Sequence, residues 1–330
     1  MERSENQGFS AMRRSDFDIT NRIRTTDAIE VSDHVAGLFR ALFPKGNPRP
    51  MERAFAELSR MYYGKHPDYH PCDTEYHDIQ HVLDVTLAMA RLLDGYQRDP
   101  REHAPLSPEH FTVGIVTALF HDVGYLRRRS DRKHRYGAEY TLTHVSRGSR
   151  FLRSYLPGLG LLQYAQASSV LIHFTGYERD PTSIRMADPV MRRVGEMLGS
   201  ADIMAQMSDR CYLEKCYDRL YPEFVLGGIA RRRQPDGREL VLYKSRGDLI
   251  SKTPAFFINA LKRLDEKLGW AYRHAETHFG GKNLYIQEMH KNARYAKAVN
   301  RRGYPTALRR LAPKTLLKGV KAFPDSLAMR

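Results

Sequence analysis

An adjacent histidine and aspartate, His121 and Asp122, lie near the end of the apolar run TALFHDVGY and constrain the fold more than any other feature. Phe120 and Val123 flank the pair, so this run is too apolar to face water. A buried aspartate is rare unless it is paired or binds a cation, because moving a bare charge out of water costs much free energy. The pair therefore predicts a helical core. In it, side chains from other segments, or a bound metal, would offset the cost of burying these polar groups.

Other imidazoles and carboxylates lie in similarly apolar surroundings. His77 and His81 in YHDIQHVLDV are four residues apart and share one face of a helix. His144, His173 and Asp202 follow in three further segments. Sets of imidazole and carboxylate ligands suit hard or borderline divalent metals. The sequence thus predicts that several helices bring these side chains to one metal site.

Helical periodicity dominates the chain, and prolines and glycines punctuate it. One of these helices is predicted from about residue 108 to Tyr125, ending on the His-Asp pair. The best candidate for a strand is ELVLYK (239–244), which follows a turn-like Pro-Asp-Gly. The predicted fold class is therefore all-α.

The charge distribution suggests a division of the chain. Residues 1–230 hold 30 Lys/Arg and 30 Asp/Glu, whereas residues 231–330 hold 23 and 8 and carry the whole net charge of +15. We expect a disordered leader at residues 1–28, the main domain at 29–230, and a basic, mostly helical extension at 231–330, packed on the domain or appended to it. Charge asymmetry of this kind indicates an anionic partner or an appended segment.

The composition is that of a soluble globular protein, with 330 residues of which 42% are apolar. No run approaches the roughly 18 apolar residues that a transmembrane helix needs. The N-terminus is too polar for a secretory signal, and the three cysteines show no metal-type spacing. We therefore expect a cytoplasmic protein with reduced thiols.

The order His81, His121-Asp122, Asp202 resembles the H…HD…D motif of the HD superfamily of metal-dependent phosphohydrolases. The segment YHDIQHVLDV is also similar to the YHNxxHxxDV region of cyclic-nucleotide phosphodiesterases. The resemblance covers about residues 75–210 and implies an HD-domain helical bundle.

The resemblance also implies a role for each matching residue. The primary metal ligands would be His81, His121, Asp122 and Asp202, with Asp122 able to bridge to a second ion. His144 and His173 match two further histidines of the binuclear branch, which includes the HD-GYP type. His77 matches the histidine that protonates the leaving oxygen, and its usual pKa of about 6.5 suits that task. Asp84 is expected to orient a histidine from behind.

Two departures from the family patterns limit the expected substrate. Tyr125 stands where the phosphodiesterase motif HDxxH has its second histidine and where the HD-GYP type has lysine. The glutamine that clamps a purine, expected roughly fifty residues after Asp202, has no counterpart. The sequence therefore predicts neither cyclic-nucleotide nor cyclic dinucleotide specificity.

Two basic segments are candidates for binding anions. The loop LRRRSDRKHR follows the His-Asp pair directly, and its cations would draw phosphates to the metal site if it borders that site. The residues chosen for this role are Arg127, Arg128, Arg129 and Lys133. The C-terminal extension could instead meet a nucleic acid, an anionic membrane or an acidic partner. For both segments a solvated surface is the alternative.

The leading hypothesis is a metal-dependent phosphohydrolase that acts on a small phosphomonoester or phosphodiester, with nucleotides among the candidates. One or two divalent ions are required, with Mn, Fe, Mg, Zn, Co and Ni all compatible with the ligands. The same six ligands would equally serve an HD-type di-iron oxygenase. A non-catalytic binding module that uses the basic extension is a third hypothesis.

Overall fold

The computed structural model describes residues 13–234, 236–303 and 306–314, and these form an all-α fold with one small hairpin. This confirms the predicted fold class. The α-helices are α1 (Ala28–Leu42), α2 (Arg49–Tyr62), α3 (Ile79–Arg98), α4 (Pro108–Leu119), α5 (His144–Tyr155), α6 (Ala165–Leu171), α7 (Pro189–Ser208), α8 (Tyr212–Lys215), α9 (Tyr221–Leu226), α10 (Arg246–Glu266), α11 (His274–His278) and α12 (Leu284–Arg302). The strands are β1 (Arg231–Arg233) and β2 (Glu239–Val241). Short 3-10 turns span Val123–Tyr125, Gly137–Tyr140, Leu156–Leu159, Leu162–Tyr164, Ile172–Phe174, Pro181–Ser183 and Ala271–Arg273, and a π turn spans Cys216–Leu220.

Helix α3 lies at the centre of the molecule. It is buried along most of its length and packs against α1, α4, α7 and α11. A helix buried on nearly all sides needs such a central position, and its buried polar groups need partners from the elements around it. Asp78 caps its N-terminus by accepting a hydrogen bond from the His81 amide at 3.0 Å, which fixes the start of the helix next to the first histidine motif.

Helix α4 ends at Leu119, before the His-Asp pair, and not at Tyr125 as the sequence predicted. Residues Val123–Tyr125 form a 3-10 turn instead, and Asp122 has φ −104° and ψ 7°, outside the α-helical range. A Cβ atom on Gly124 would lie 1.9 Å from the carbonyl oxygen of His144. The chain therefore turns sharply here because the start of α5 packs directly against it.

The N-terminal segment differs from the predicted leader. Residues 1–12 lie outside the described part of the chain, but residues 13–27 are ordered and packed. Arg91 of α3 is buried and forms an ion pair with buried Asp18 at 2.5 Å, and it donates to the Tyr285 hydroxyl at 2.9 Å. A buried arginine needs such a partner, and the partner lies in the segment that sequence polarity assigned to disorder.

The C-terminal region packs partly on the helical core. β1 and β2 pair antiparallel with Arg231 opposite Val241, so a strand covers half of the predicted segment ELVLYK. Helices α10 and α12 contact each other and α7. The domain division at residue 230 stays a prediction. Among the described residues, no helix combines the length and the apolar character that a membrane span requires.

Candidate metal centre

Three of the predicted ligands meet at the junction of α3 and the turn after α4. The side chains of His81, His121 and Asp122 are buried, and their ligand atoms lie within 4.8 Å of one another. The Nε2 atoms of the two histidines are 3.3 Å apart. Asp122 Oδ2 lies 3.3 Å from His81 Nε2 and 3.2 Å from His121 Nε2. Two nitrogens and one carboxylate oxygen converge on a point, which is the arrangement that a divalent cation needs.

The hydrogen bonds around the centre leave ligand lone pairs facing inward. His121 Nδ1 donates to the Ala118 carbonyl at 2.8 Å, and His144 Nδ1 donates to the Thr141 carbonyl at 2.7 Å. Each Nδ1 carries the ring proton because a carbonyl can only accept, so each neutral ring presents a bare Nε2. Asp122 Oδ2 is buried and has no hydrogen-bond partner among the described residues. These observations fit a bound metal, which would satisfy all of these atoms together.

Two further predicted ligands border this group. Asp202 of α7 directs Oδ1 to within 3.6 Å of His81 Nε2 and 3.9 Å of His121 Nε2. His144 Nε2 lies 3.6 Å from the other oxygen of Asp122, Oδ1. Asp122 therefore faces two imidazole nitrogens with Oδ2 and one with Oδ1.

The sixth predicted ligand, His173, is buried in the 3-10 turn after α6. Its Nδ1 lies 2.7 Å from Glu178 Oε1, an acceptor that orients the ring and sets its tautomer. Within the described residues, His173 does not belong to the tight group formed by His81, His121 and Asp122. Its role as a metal ligand stays a prediction.

The electrostatics of the His-Asp pair show how strongly the two groups are coupled. Burial disfavours the charged form of each, but their mutual attraction outweighs it. The pKa of His121 is raised to about 9, and the pKa of Asp122 lies well below its usual range. Without a metal the centre therefore retains a proton beside Asp122, and a metal ion would displace that proton on binding.

The predicted proton donor, His77, has a partner that the sequence did not indicate. Its Nδ1 lies 2.5 Å from Glu223 Oε2, and Glu223 Oε1 accepts a hydrogen bond from the Tyr76 amide at 2.6 Å. Burial lowers the pKa of His77, but the Glu223 carboxylate, supported by Asp122 and Asp202, reverses this and raises it. Glu223 lies on α9, which is 146 residues away along the chain, so no sequence spacing links the two.

Tyr125, the departure from the family motifs, is buried at the centre of the site. Its ring stacks on His77 and on His144, in both cases with a centroid distance of 4.4 Å and an interplanar angle of 18°. The sequence identified this position only as a missing histidine. Its contact with both imidazoles depends on the turn that follows Asp122.

Asp84 lies one helical turn behind His81, in a polar cleft with Asp209 and Lys215. Lys215 Nζ is 2.5 Å from Asp209 Oδ2. Burial raises the pKa of Asp84 to about 7, with the Asp209 carboxylate adding to the effect and Lys215 opposing it. Among the described residues, Asp84 forms no ion pair with a histidine. Its expected orienting role stays a prediction.

The basic loop is largely engaged with other parts of the surface. Arg127 Nε donates to Asp73 Oδ2 at 2.9 Å, and Arg129 donates to the Gly64 carbonyl at 3.2 Å. Arg128 lies over the Tyr69 ring, and Lys133 is exposed. Among the described residues, none of these four cations forms an ion pair with a candidate metal ligand. Phosphate binding by this loop stays a prediction.

Many cations of the C-terminal extension face solvent, although Arg263 is half-buried and donates to the Phe174 and Gly176 carbonyls. All three arginines of β1 are exposed. Helix α12 buries its apolar side and exposes a row of cations, namely Lys291, Arg294, Lys297 and Arg301. This is the pattern of a solvated helix face. A nucleic-acid or acidic partner for residues 231–330 stays a prediction, and residues 315–330 lie outside the described part of the chain.

No family model and no curated protein match the chain. Among solved structures, it is similar to the phosphodiesterase domain of the RhoPDE fusion protein from the choanoflagellate Salpingoeca rosetta, with a TM-score of 0.52 and 11% sequence identity. The match covers 89% of this chain and 97% of that chain. At this identity the likeness concerns the fold. The chain thus has a helical fold similar to that of a phosphodiesterase domain, with a His-His-Asp group that could hold a metal ion in its core.

Proposed function

We propose that the protein is a metal-dependent phosphohydrolase of the HD type that cleaves a small phosphomonoester or phosphodiester. The observation that carries this proposal is the pairing of two features within one buried site. One feature is the inward-facing group of His81, His121 and Asp122, in which a buried carboxylate oxygen lies 3.2–3.3 Å from two imidazole nitrogens without a well-aligned hydrogen bond among the described residues. The other is the His77–Glu223 pair beside it. Together they supply metal ligands and a proton donor.

The residues that would hold metal are His81, His121, Asp122 and Asp202 for one ion, and Asp122, His144 and His173 for a second. A bound divalent metal supplies Lewis acidity and lowers the pKa of a coordinated water, which provides a nucleophile near neutral pH. Asp122 would belong to both ligand sets, because Oδ2 lies near His81 and His121 while Oδ1 lies near His144. This ligand set is compatible with one or two ions of Mn, Fe, Mg, Zn, Co or Ni.

The task of His77 is to donate a proton to the departing oxygen. Its Nδ1 is occupied by Glu223, which leaves Nε2 as the donor toward substrate. The Glu223 carboxylate favours the protonated ring, so His77 holds its proton at a higher pH than an ordinary histidine. A proton donor matters for a leaving group of high pKa, such as the alkoxide of a nucleoside or sugar.

Two alternative functions receive less support. A di-iron oxygenase would use the same ligands, but the His77–Glu223 pair favours hydrolysis because a departing alkoxide needs a proton donor. A non-catalytic binding module would have no need for a buried carboxylate and two imidazoles that converge on one point. The likeness to a phosphodiesterase domain supports the hydrolase, and the absence of a counterpart to the purine-clamping glutamine argues for a different substrate preference.

The test is an assay of the purified protein loaded separately with Mn, Fe, Mg, Zn, Co or Ni. The substrates are 4-nitrophenyl phosphate, bis(4-nitrophenyl) phosphate and a nucleotide panel, and elemental analysis reports bound metal. We expect turnover with at least one metal. Asp122→Ala should lose bound metal and activity, whereas His77→Asn should keep its metal but hydrolyse alkyl esters about a hundredfold more slowly.

His278→Ala is the matched control. His274 and His278 repeat the spacing of His77 and His81, but His278 pairs with Asp94 far from the centre. This variant should retain both metal and activity. Metal-loaded wild-type protein that hydrolyses none of these esters would contradict the proposal, and iron-dependent oxygen uptake would favour the oxygenase instead.

A further inference from the structure

Tyr125 is the one aromatic ring in the described structure that stacks on both His77 and His144. We propose that Tyr125 is a positioning residue that holds the proton donor and a metal-binding histidine in fixed relation. The inference rests on the proposed hydrolase function, which gives His77 and His144 these roles. It assigns a task to a side chain that the family motifs do not contain at this position.

The stacking geometry is the same for the two imidazoles. Each ring centroid lies 4.4 Å from that of Tyr125, with an interplanar angle of 18°. The two imidazoles are 6.5 Å apart and tilted by 36° to each other, which is twice their tilt to Tyr125. Tyr125 therefore contacts both imidazoles at the same distance and angle, and so connects them. Offset stacking at about this distance is a favoured geometry for aromatic pairs.

A hydrogen bond on the Nδ1 edge of each imidazole adds to the stacking on its face. Glu223 holds the Nδ1 edge of His77, and the Thr141 carbonyl holds the Nδ1 edge of His144. A hydrogen bond on one edge leaves a ring able to rotate about that contact. Stacking on Tyr125 restrains the ring face and so fixes the direction in which Nε2 points.

Tyr125 is itself held rigidly. It is buried, and its amide donates to the Asp122 carbonyl at 3.0 Å within the 3-10 turn. Gly124 beside it is in close contact with the His144 backbone. The ring thus has little room to move relative to Asp122 or to α5. A neutral phenol is a weaker metal ligand than an imidazole, and the ring is the part of this side chain that contacts both imidazoles.

The test compares Tyr125→Phe, which keeps the ring, with Tyr125→Leu, which removes it. The control is Tyr96→Leu, which removes a ring that contacts the His274 imidazole near the C-terminal end of α3. Metal-saturated proteins are assayed with a 4-nitrophenyl ester, whose leaving group needs no proton, and with an alkyl ester of the same acid. We expect Tyr125→Leu to lower kcat for the alkyl ester about tenfold more than for the 4-nitrophenyl ester. Tyr125→Phe and Tyr96→Leu should stay near wild type in this ratio.

Equal losses on the two esters, or a Phe variant as impaired as the Leu variant, would overturn the proposal. Histidine ring NMR signals provide a readout that does not need activity. Removal of the ring in Tyr125→Leu should shift the ring-proton signals of both His77 and His144, while Tyr125→Phe should preserve them. Unchanged signals in Tyr125→Leu would refute the positioning role. If the wild type hydrolyses no ester but the NMR result holds, the hydrolase proposal fails and the positioning of the two rings stands.

Discussion

His77 Nδ1 lies 2.5 Å from Glu223 Oε2, and this contact joins the first histidine motif to a short helix far along the chain. Burial alone would lower the pKa of His77, but the carboxylate outweighs it and raises the pKa above the usual value. The pair gives the candidate metal centre a histidine that keeps its proton to a higher pH than an ordinary histidine does.

Glu223→Gln should shift the pH dependence of hydrolysis. The charge of Glu223 raises the pKa of His77, so its removal lowers that pKa and His77 loses its proton at lower pH. The basic limb of the kcat/KM profile should therefore move to lower pH, and kcat for alkyl esters should fall about tenfold or more. Gln can still accept from the Tyr76 amide, which keeps the backbone contact. The exposed neighbour Glu75 gives the control Glu75→Gln, and an identical basic limb in both variants would argue against the His77–Glu223 pairing.

Gly124→Ala should disturb the centre through the backbone. The added Cβ would lie 1.9 Å from the carbonyl oxygen of His144 and 2.6 Å from its carbonyl carbon, and backbone atoms cannot move aside as a flexible side chain can. We expect a loss of about 1–3 kcal/mol in the free energy of unfolding, together with a lower metal content as His144 is displaced. Urea titration and elemental analysis measure the two effects.

Gly37→Ala is the control, and its effect on the free energy of unfolding should have the opposite sign. Gly37 is exposed within α1, and a Cβ there meets no atom within 4 Å. That variant should be more stable by about 0.5–1 kcal/mol because alanine favours the helix. A Gly124→Ala protein with wild-type stability and metal content would mean that the turn and α5 are not in close contact.

Asp18→Ala should be strongly destabilising although residue 18 lies in a polar N-terminal segment. It removes the partner of buried Arg91 and leaves an uncompensated charge, which costs about 3–5 kcal/mol. The comparison is Glu52→Ala, which breaks the exposed pair with Arg40 and should cost less than about 1 kcal/mol. Chemical denaturation followed by circular dichroism provides both values, and similar costs for the two variants would show that the segment is not docked.

The free energy of unfolding should also depend on pH through the ionisation of Asp84. Its pKa is raised from 3.8 to about 7, mainly by burial, so the folded state binds this proton more tightly than the unfolded state. The resulting stabilisation is present below about pH 4 and is lost as pH rises through about 7. Asp84→Asn removes this dependence. The difference in the free energy of unfolding, variant minus wild type, should therefore be larger at pH 8 than at pH 5. Asp33→Asn, on the exposed face of α1, should change the free energy of unfolding little at either pH. If the Asp84→Asn and Asp33→Asn proteins show the same pH dependence of stability, the raised pKa of Asp84 is excluded.

Local signals in the sequence predicted the fold class and the core of the candidate centre. Helical periodicity is a short-range property, so the all-α architecture could be predicted without knowing how the helices pack. The His77–His81 spacing and the His121-Asp122 adjacency are also local, and a buried carboxylate demands a partner wherever it lies. These features were sufficient to predict that His81, His121 and Asp122 would come together, and the structure brings them together.

The long-range contacts of the candidate site were decided by the tertiary structure. Glu223 reaches His77 across 146 residues, and Asp18 reaches Arg91 across 73, so neither partner has a spacing that sequence periodicity could reveal. The polar segment at residues 13–27 becomes ordered because one of its carboxylates neutralises a buried arginine. The turn after Leu119, in close contact with α5, brings Tyr125 against two imidazoles. Such contacts depend on how the helices meet, and a one-dimensional pattern does not contain that information.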